Sequence, residues 1–320
     1  MKIAILGAGA LGSIIGTHLA RAGVEVTLIA RGERARFIRE HGITITGLAN
    51  FTEHVTVVDN PHEVQEADVL LVAVKTYDTE EALKSVSHVK VGSVLSVQNG
   101  VLKNEQLAYY FGWDKTLGAA AMVSGEVMPA GDVRFTYHDN LCVGELPEGT
   151  SERIQAFATT LAGAGINVEM SPQIQTVEWS KYVVFLSMMA LAVLTRLETY
   201  KFLKDPDLAH LLVVLARETA QLPAKLGIPL EDRGMIRAKT FSSVPIEEGV
   251  AILHHIGKTM EDQGATAHKI STLQDLERGR RLEIEEILGY AVRKSTELDM
   301  RLPTVETCYR LIRGIDRNLR

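Results

Sequence analysis

The residues with the clearest chemical meaning form a glycine-rich run near the start of the chain. The run consists of Gly7, Ala8, Gly9, Ala10, Leu11 and Gly12, and it lies between a short apolar segment and a segment with helical spacing. In G-x-G-x-x-G spacing the first glycine permits a tight turn, the second lets the backbone approach a pyrophosphate, and the third lets helix and strand pack closely. The helix N-terminus then faces the anion. The run therefore predicts a dinucleotide-binding loop, in preference to a glycine-rich turn without a ligand.

The residues after the second predicted strand indicate which dinucleotide binds. NAD-specific proteins carry an acidic residue about 20 residues beyond the glycines, where it binds the ribose 2′-hydroxyl. This chain has Arg31 between Ala30 and Gly32 instead, with Arg34 and Arg36 nearby. A guanidinium is suited to a 2′-phosphate. Arg31 therefore favours NADP(H), and the alternative is that it is a solvated loop charge.

Two polar side chains follow later strands of the same predicted sheet. Lys75 comes after the apolar run LLVAV, and Asn99 stands in Gln98-Asn99-Gly100 at the end of the next run. The carboxyl ends of parallel strands line the ligand crevice of an open α/β sheet. Asn-Gly is also an ordinary turn signal, so the position of Asn99 is what favours binding. Both residues are predicted to face the cofactor.

The elements that must position these groups alternate between strand and helix. Strands are predicted at 2–6, 24–30, 43–47, 54–58, 69–74 and 93–98, with helices following the glycines up to Ala22 and at 79–86. This pattern predicts an α/β Rossmann-type domain over residues 1–171, with a mostly parallel sheet covered on both faces. From residue 172 to residue 320 helical spacing dominates, which predicts an all-α second domain.

Composition agrees with two globular domains and excludes several classes of protein. The chain has 320 residues, with 46% hydrophobic and 23% charged residues, which excludes disordered and fibrous classes. A net charge of −6 without a basic block argues against nucleic-acid and anionic-membrane binding. The apolar stretch Val183–Leu194 is well short of the roughly 20 residues that span a bilayer. We therefore expect a soluble protein with no membrane or nucleic-acid partner.

The cysteines and histidines give no sign of a disulfide or a metal site. Cys142 and Cys308 are far apart and belong to no Cys/His group. His254 and His255 are adjacent, and adjacent residues point to different sides of a helix. We therefore expect no metal, and a reducing, cytoplasmic location fits best.

Taken together, these motifs resemble the ketopantoate reductase family, the 2-dehydropantoate 2-reductases, which reduce a branched 2-oxo acid with NADPH. The resemblance spans the whole chain. It rests on GAGALG, Arg31-Gly32, Val74-Lys75, Gln98-Asn99-Gly100, Glu178-Trp179-Ser180-Lys181, and Ser271-Thr-Leu-Gln-Asp275 with Glu283. It implies that Lys181 is the general acid, and that Ser271 and Glu283 contact the substrate or organise the catalytic site. It also implies that Lys75 and Asn99 contact NADP(H), with Asn99 also bordering the substrate.

The chain departs from the family just after the candidate catalytic lysine. Relatives have asparagines four and eight residues later that help to hold the substrate, and this chain has Phe185 and Met189. These two residues either line the pocket or belong to the core. The first hypothesis is reduction of ketopantoate to pantoate. The alternatives are a reductase of the same fold acting on a more apolar 2-oxo acid or ketone, and a non-catalytic NADP(H)-binding regulatory protein.

Local sequence context predicts the surroundings of the candidate substrate-domain residues. The apolar flanks of Lys181 indicate a buried helix, which favours catalysis over a surface lysine. Ser271 and Gln274 have capping-box spacing. Glu283 is predicted to lie mid-helix among charged residues, on the same face as Gly279. The apolar helices of this domain pack either within one chain or between the two chains of a homodimer.

Overall fold

The computed structural model describes residues 1–319, and the chain divides into two compact units, Met1–Gln175 and Thr176–Arg320. The first unit is built on two sheets and the second is mainly helical. This arrangement confirms the predicted fold class, an α/β Rossmann-type domain followed by a helical domain.

A five-stranded parallel sheet is the frame of the first unit. Its strands, in spatial order, are β5 (Thr56–Val58), β2 (Glu25–Ile29), β1 (Lys2–Leu6), β6 (Glu66–Val72) and β7 (Lys90–Ser96). The central strands are almost continuously apolar because both faces of the sheet are covered. All five carboxyl ends lie at one edge, so the segments after β1, β2, β6 and β7 are neighbours there.

Helices cover both faces of this parallel sheet. They are α1 (Ala10–Arg21), α2 (Gly32–His41), α3 (Thr79–Val86) and α4 (Leu102–Phe111). Apolar residues of α1 and α2 pack on one face of the sheet, and those of α3 and α4 pack on the other. The bounds predicted for the helix at 79–86 are those observed.

A second, mixed sheet packs against the other side of α1. It contains β3 (Ile43–Gly47), β4 (Phe51–Glu53), β8 (Leu117–Val127), β9 (Val133–Glu145) and β10 (Val168–Met170), with helix α5 (Glu152–Gly163) beside it. One edge of β9 pairs with β8, and its other edge pairs with β3 and β10. The strand predicted at 43–47 exists with those bounds. Its expected membership of the parallel sheet is wrong, because a local apolar pattern does not specify a strand's partner.

The second unit is a helical assembly with one short hairpin. Its helices are α6 (Ile174–Thr195), α7 (Thr199–Lys204), α8 (Pro206–Lys225), α9 (Ala238–Ser243), α10 (Ile246–Asp262), α11 (Ser271–Glu277), α12 (Ile284–Glu297) and α13 (Pro303–Asn318). The hairpin pairs β11 (Asp232–Arg233) with β12 (Ile236–Arg237). The first two residues of α6 belong to the first unit.

Helix α6 is long and apolar enough to span a membrane by length and composition alone. It has 22 residues, and 78% of its most apolar 18-residue window is buried inside the protein. The predicted apolar stretch Val183–Leu194 is therefore part of a longer helix, and the argument from its short length does not hold. Burial identifies α6 as a core helix.

Candidate active site

The glycine loop joins β1 to α1, and two of its glycines are required by the chain itself. Gly7 has φ +108°, and a Cβ there would lie 2.8 Å from the Val74 nitrogen. A Cβ on the buried Gly12 would lie 2.0 Å from the Gly7 carbonyl oxygen. Any larger residue at either position would push the loop or helix out of place. The tight turn and the close helix packing predicted for these glycines are therefore observed.

Gly9 differs from the other two because nothing in the protein crowds it. It is exposed, and the nearest atom to a Cβ there would be the Ala73 carbonyl oxygen at 3.9 Å. Gly9 occupies the N-cap of α1 and has no side chain to accept a hydrogen bond from the first amides of the helix. A ligand pyrophosphate that approaches the backbone explains the absence of a side chain here, and helix amides suit such an anion. The loop therefore fits a dinucleotide.

The Arg34 side chain holds the glycine loop in place through hydrogen bonds. Its guanidinium donates to the carbonyl oxygens of Ala8 at 3.1 Å and Gly131 at 2.6 Å, and to Ser13 Oγ at 3.2 Å. Burial lowers the pKa of Arg34. These contacts give Arg34, one of the two arginines near Arg31, a structural role in the loop.

Arg31 stands at the carboxyl end of β2, as predicted, and it has an acidic neighbour that the sequence did not reveal. Its Nη1 lies 2.8 Å from Glu81 Oε1, and the two side chains are 63% and 76% exposed. Glu81 belongs to α3, fifty residues further along the chain. The guanidinium therefore remains accessible to solvent while sharing its charge with a carboxylate.

Lys75 and Asn99 occupy the turns after β6 and β7, and both are half-buried. The side chain of Gln98 connects these turns, since its Nε2 donates to the Val74 carbonyl at 2.8 Å and to Thr79 Oγ1 at 2.7 Å. The structure therefore brings the glycine loop, Arg31, Lys75 and Asn99 to the same edge of the parallel sheet.

Lys181 lies on α6, in the second unit, between two anchored residues. Ser180 Oγ accepts a hydrogen bond from the Glu231 amide at 2.9 Å, and the Tyr182 hydroxyl donates to the Ile287 carbonyl at 2.7 Å. Burial raises the pKa of Tyr182, so its hydroxyl keeps the proton that it donates. Lys181 itself is half-buried. Its backbone is thus held on both sides while its side chain retains access to solvent.

The helix face that carries Lys181 also carries Phe185 and Met188, which are both half-buried. Met189 is fully buried at 0% exposure. Residues seven apart on an α-helix differ by about 20° in direction and residues eight apart by about 80°. Met188 therefore continues the Lys181 stripe, whereas Met189 is a core residue and not a pocket residue. Phe185 occupies the predicted position beside Lys181.

Ser271 begins α11, as predicted, but the predicted capping box is absent. The N-cap residue is Ile270, and no side chain caps the helix. The Gln274 side chain donates to the Lys269 carbonyl at 3.0 Å instead. Ser271 is exposed in the first turn of a seven-residue helix.

Glu283 does not lie mid-helix, and the prediction that it does is wrong. The chain leaves α11 at Gly279, which has φ +63°. The amides of Gly279 and Arg280 donate to the carbonyls of Leu276 at 3.1 Å and Asp275 at 2.9 Å. This pattern is a Schellman motif, in which glycine ends a helix. Gly279 is therefore a helix terminator, and it does not share a helix face with Glu283.

Glu283 is buried, at 6% exposure, and occupies the N-cap position of α12. The preceding residue is fixed, since the Leu282 amide donates to Asp316 Oδ1 at 2.8 Å. Although its sequence neighbours are charged, Glu283 is therefore not a solvated surface charge. A buried carboxylate at a helix N-terminus is favourably placed in the helix field.

The helix that carries Lys181 packs against the helix that follows Glu283. Ring centroids of Trp179 and Tyr290 are 6.5 Å apart, and those of Tyr182 and Tyr290 are 6.1 Å apart. Together with the bond from Tyr182 to Ile287, these contacts fix α6 on α12. Lys181 and Glu283 therefore stand on elements whose relative position is set by buried aromatic packing.

Residues 1–319 contain no group of three or more His, Cys, Asp or Glu side chains that could hold a metal ion. Cys142 and Cys308 are buried and form no disulfide. Burial, with a contribution from the charge of Glu218, raises the pKa of Cys308 to about 11. This thiol is therefore not a nucleophile near neutral pH.

Comparison with known families covers both units of the chain. Residues 3–148 match the family model described as ketopantoate reductase PanE/ApbA, and residues 173–316 match its C-terminal counterpart. The chain belongs to this family. The resemblance drawn from the spaced motifs is thereby confirmed over almost the whole length.

Individual relatives of this family member agree in length and fold. A 2-dehydropantoate 2-reductase of Archaeoglobus fulgidus is 31% identical over 99% of both chains. A PanE/ApbA family ketopantoate reductase from Ralstonia eutropha JMP134 superimposes with a TM-score of 0.83 at 28% identity, covering 100% of this chain and 99% of its own. D-mandelate dehydrogenase with NADH and anilino(oxo)acetate gives a TM-score of 0.86 at 21% identity, with coverages of 100% and 99%, and shows the shared fold alone.

Two features of this family member were not found by reasoning from the sequence. Glu81 reaches Arg31 from another helix, and a buried lysine, Lys103, lies behind the Asn99 turn. A lysine in the first turn of an amphipathic helix is usually solvated, so no local signal marked Lys103. Such pairings appear only once the strands are assembled.

Proposed function

We propose that the protein reduces the 2-oxo group of ketopantoate to the hydroxyl group of pantoate, with NADPH as the reductant. The observation that carries this proposal is the family match of both units together with a full-length relative named 2-dehydropantoate 2-reductase. The glycine cradle and the half-buried lysine on a core helix supply a binding loop and a proton donor of the required kinds.

The first unit is proposed to bind the cofactor. When bound, NADPH supplies a hydride to the ketone carbon. The loop from Gly7 to Gly12 holds the pyrophosphate through backbone amides, and Arg31 pairs with the 2′-phosphate. Lys75 and Asn99 contact the cofactor from the neighbouring turns, and Asn99 also borders the substrate. Nicotinamide cofactor use follows from the family, and NADPH preference is proposed from Arg31.

The second unit is proposed to supply the proton. The reduced carbonyl develops alkoxide charge on its oxygen, which needs a donor within hydrogen-bond reach. The Lys181 ammonium donates that proton and is left as a neutral amine. Ser271 and Glu283 bind or orient the substrate. The anchors on Ser180 and Tyr182 support this assignment because they fix the backbone on either side of Lys181.

A more apolar substrate is not favoured. Phe185 and Met189 are the residues that support it, and Met189 is a core residue. The relative that matches the full chain is named for ketopantoate chemistry. Phe185 therefore replaces one family asparagine beside Lys181 without changing the reaction that we propose.

The test is NADPH oxidation with two acids that differ only in the hydroxyl group, ketopantoate and 3,3-dimethyl-2-oxobutanoate. We expect kcat/KM to be at least about tenfold higher for ketopantoate, which corresponds to about 1.4 kcal/mol. A preference for the hydroxyl-free acid would contradict ketopantoate as the substrate. Turnover of neither acid, with NADPH still bound, would favour a non-catalytic binding protein.

Cofactor preference should depend on the Arg31–Glu81 pair. Arg31→Ala is expected to lower the preference for NADPH over NADH by about tenfold, the lower end for a charged hydrogen bond because the guanidinium is largely exposed. Glu81→Gln should raise NADPH affinity several-fold, since the carboxylate competes with the 2′-phosphate for Arg31. Titration of protein fluorescence with each cofactor measures both effects.

Glu80→Gln is the matched control, because Glu80 is an exposed carboxylate on the same helix without the Arg31 contact. It should leave the NADPH-to-NADH ratio within about twofold. Equal affinities for NADPH and NADH in the unmodified protein would refute the role of Arg31.

We also propose that the protein is a soluble cytoplasmic homodimer. The burial of α6 and the two buried cysteines, which form no disulfide, support a soluble protein in a reducing compartment. The dimeric ketopantoate reductase from Staphylococcus aureus, a structural neighbour at 20% identity and a TM-score of 0.76, supports the dimer. Analytical ultracentrifugation tests the oligomeric state directly.

A further inference from the structure

Lys103 is a buried cation whose side chain bonds to the backbone around the Asn99 turn. It lies in the first turn of α4 and is only 4% exposed. Its Nζ donates to the carbonyl oxygens of Ser96 at 3.0 Å and Gln98 at 3.1 Å, and also to that of Ala119. An ammonium has three hydrogens to donate, and three backbone carbonyls meet them.

The Gln98 carbonyl is the informative partner. A peptide group is planar, so the carbonyl of Gln98 and the nitrogen of Asn99 belong to one rigid unit. When Lys103 holds that carbonyl, it fixes the orientation of the plane from which the Asn99 side chain departs. The bond to Ala119 fastens the same ammonium to β8, which is part of the second sheet.

The Gln98 side chain also fixes the neighbouring turn, which carries Lys75. Ser96 Oγ donates to Gln98 Oε1 at 2.8 Å, which orients the amide so that Nε2 donates to the Val74 carbonyl. The Val74 carbonyl shares its peptide plane with the nitrogen of Lys75. Thr79 Oγ1 accepts the second Nε2 hydrogen at 2.7 Å. The network therefore holds the peptide planes that precede both Asn99 and Lys75.

Stability alone is a poor explanation for this arrangement. Taking an ammonium out of water costs several kcal/mol, and its bonds to the three carbonyls largely offset that cost, so the net gain in stability is small. The ammonium fixes the orientation of three specified peptide groups, because it bonds to the carbonyl oxygen of each. Full satisfaction of a buried polar network makes its surroundings rigid.

We propose that Lys103 is a positioning residue that fixes Asn99 directly and Lys75 through Gln98. The proposal rests on the proposed function, in which these two side chains contact the cofactor. Lys103 touches neither the cofactor nor the substrate in this assignment. Its effect on the reaction passes through the two turns.

The first experiment compares Lys103→Met with Asn99→Ala and with the double variant. We expect Lys103→Met to lower kcat/KM for ketopantoate about tenfold in the native background and less than about twofold when Asn99 is already alanine. If Lys103 merely stabilised the fold, the fold-losses in kcat/KM of the two single variants would multiply in the double variant. Multiplying effects would therefore overturn the proposal.

The second experiment measures hydrogen exchange in the ligand-free protein and needs no activity. In Lys103→Met, peptides covering 97–101 and 73–79 should exchange about tenfold faster. Leu107→Ala is the matched control, because Leu107 is fully buried on the same helix, and its apolar side chain destabilises the unit when removed but makes no hydrogen bond to either turn. Unchanged exchange at either turn, or equal acceleration in the control, would overturn the proposal.

A milder substitution tests the second part of the proposal, the link from Gln98 to Lys75, even if Lys103→Met does not fold. Thr79→Val keeps the side-chain shape and removes the acceptor of Gln98 Nε2. It should raise KM for NADPH about three- to fivefold with kcat nearly unchanged, because only the Lys75 turn is loosened. An unchanged KM would remove the link from Gln98 to Lys75. The exchange measurement applies equally if ketopantoate proves not to be the substrate, so the two failures are distinguishable.

Discussion

Replacing Lys181 with methionine is expected to lower kcat for ketopantoate by about 100-fold or more, with the dissociation constant of NADPH changed less than about twofold. Methionine preserves the length and apolar stem of the side chain, so the packing along α6 is retained. What is lost is the proton that the alkoxide oxygen requires. Single-turnover NADPH oxidation by stopped flow measures the chemical step, and a fluorescence titration measures cofactor binding.

A lysine outside the candidate site supplies the control for this prediction. Lys258 is exposed and lies 3.4 Å from Asp262 on the surface of α10. Lys258→Met removes the same charge from the same unit and should leave kcat within about twofold. Unchanged turnover in Lys181→Met would exclude Lys181 as the proton donor. A rise in KM with unchanged kcat would instead make it a binding residue.

Those parts of the molecule that depend on short-range patterns were predicted well from the sequence. The glycine loop, the helix at 79–86 and the strand at 43–47 depend on spacing within a few residues. The position of Lys75 and Asn99 at one edge followed from the parallel direction of the strands. The same reasoning did not assign the strand at 43–47 to the second sheet. Its burial alternates along the strand, whereas the central strands of the parallel sheet are almost continuously buried, but a five-residue strand is too short for this difference to decide its partner.

The errors around Glu283 have a local cause that the sequence did contain. The residues around Glu283 are of helix-forming types, which predicts a helix that contains both Gly279 and Glu283. This interpretation treats Gly279 as a small residue within the helix. Glycine is, however, the residue type most enriched just after the C-terminal end of a helix. If Gly279 ends the first helix, Glu283 falls at the start of the next one. There its carboxyl group can be buried because the helix N-terminus favours a negative charge.

The pairings of Arg31 with Glu81 and of Lys103 with Ser96 and Gln98 could not be predicted in this way. Each depends on how separate helices are set on the sheet, and helix-setting angles are decided by packing along the whole interface. Both pairs lie beside residues proposed to bind the cofactor. Sequence motifs therefore mark the site residues themselves, whereas the neighbours that set their charge and orientation depend on tertiary packing.

The glycine loop permits a test that separates the needs of the fold from those of the ligand. Gly12→Ala places a methyl group 2.0 Å from the Gly7 carbonyl, so α1 or the loop must move. We expect a loss of about 1–3 kcal/mol in the free energy of unfolding, a fall of several degrees in the Tm of this unit, and greatly weakened NADPH binding. Calorimetry of the ligand-free protein measures the Tm, and isothermal titration measures NADPH affinity.

Gly9→Ala should weaken NADPH binding by about 100-fold while lowering Tm by no more than about 3 °C. The added methyl group has 3.9 Å to the nearest protein atom, so it meets no steric obstacle, and the poorer N-cap costs about 1 kcal/mol or less. Only a ligand that lies against the backbone would contact the added methyl group. Gly314→Ala, on a helix with open space around the glycine, is the control for a harmless methyl group. If Gly9→Ala bound NADPH as tightly as the unmodified protein, the pyrophosphate could not lie against this loop. Cofactor binding would then have to depend on Arg31 and the turns after β6 and β7.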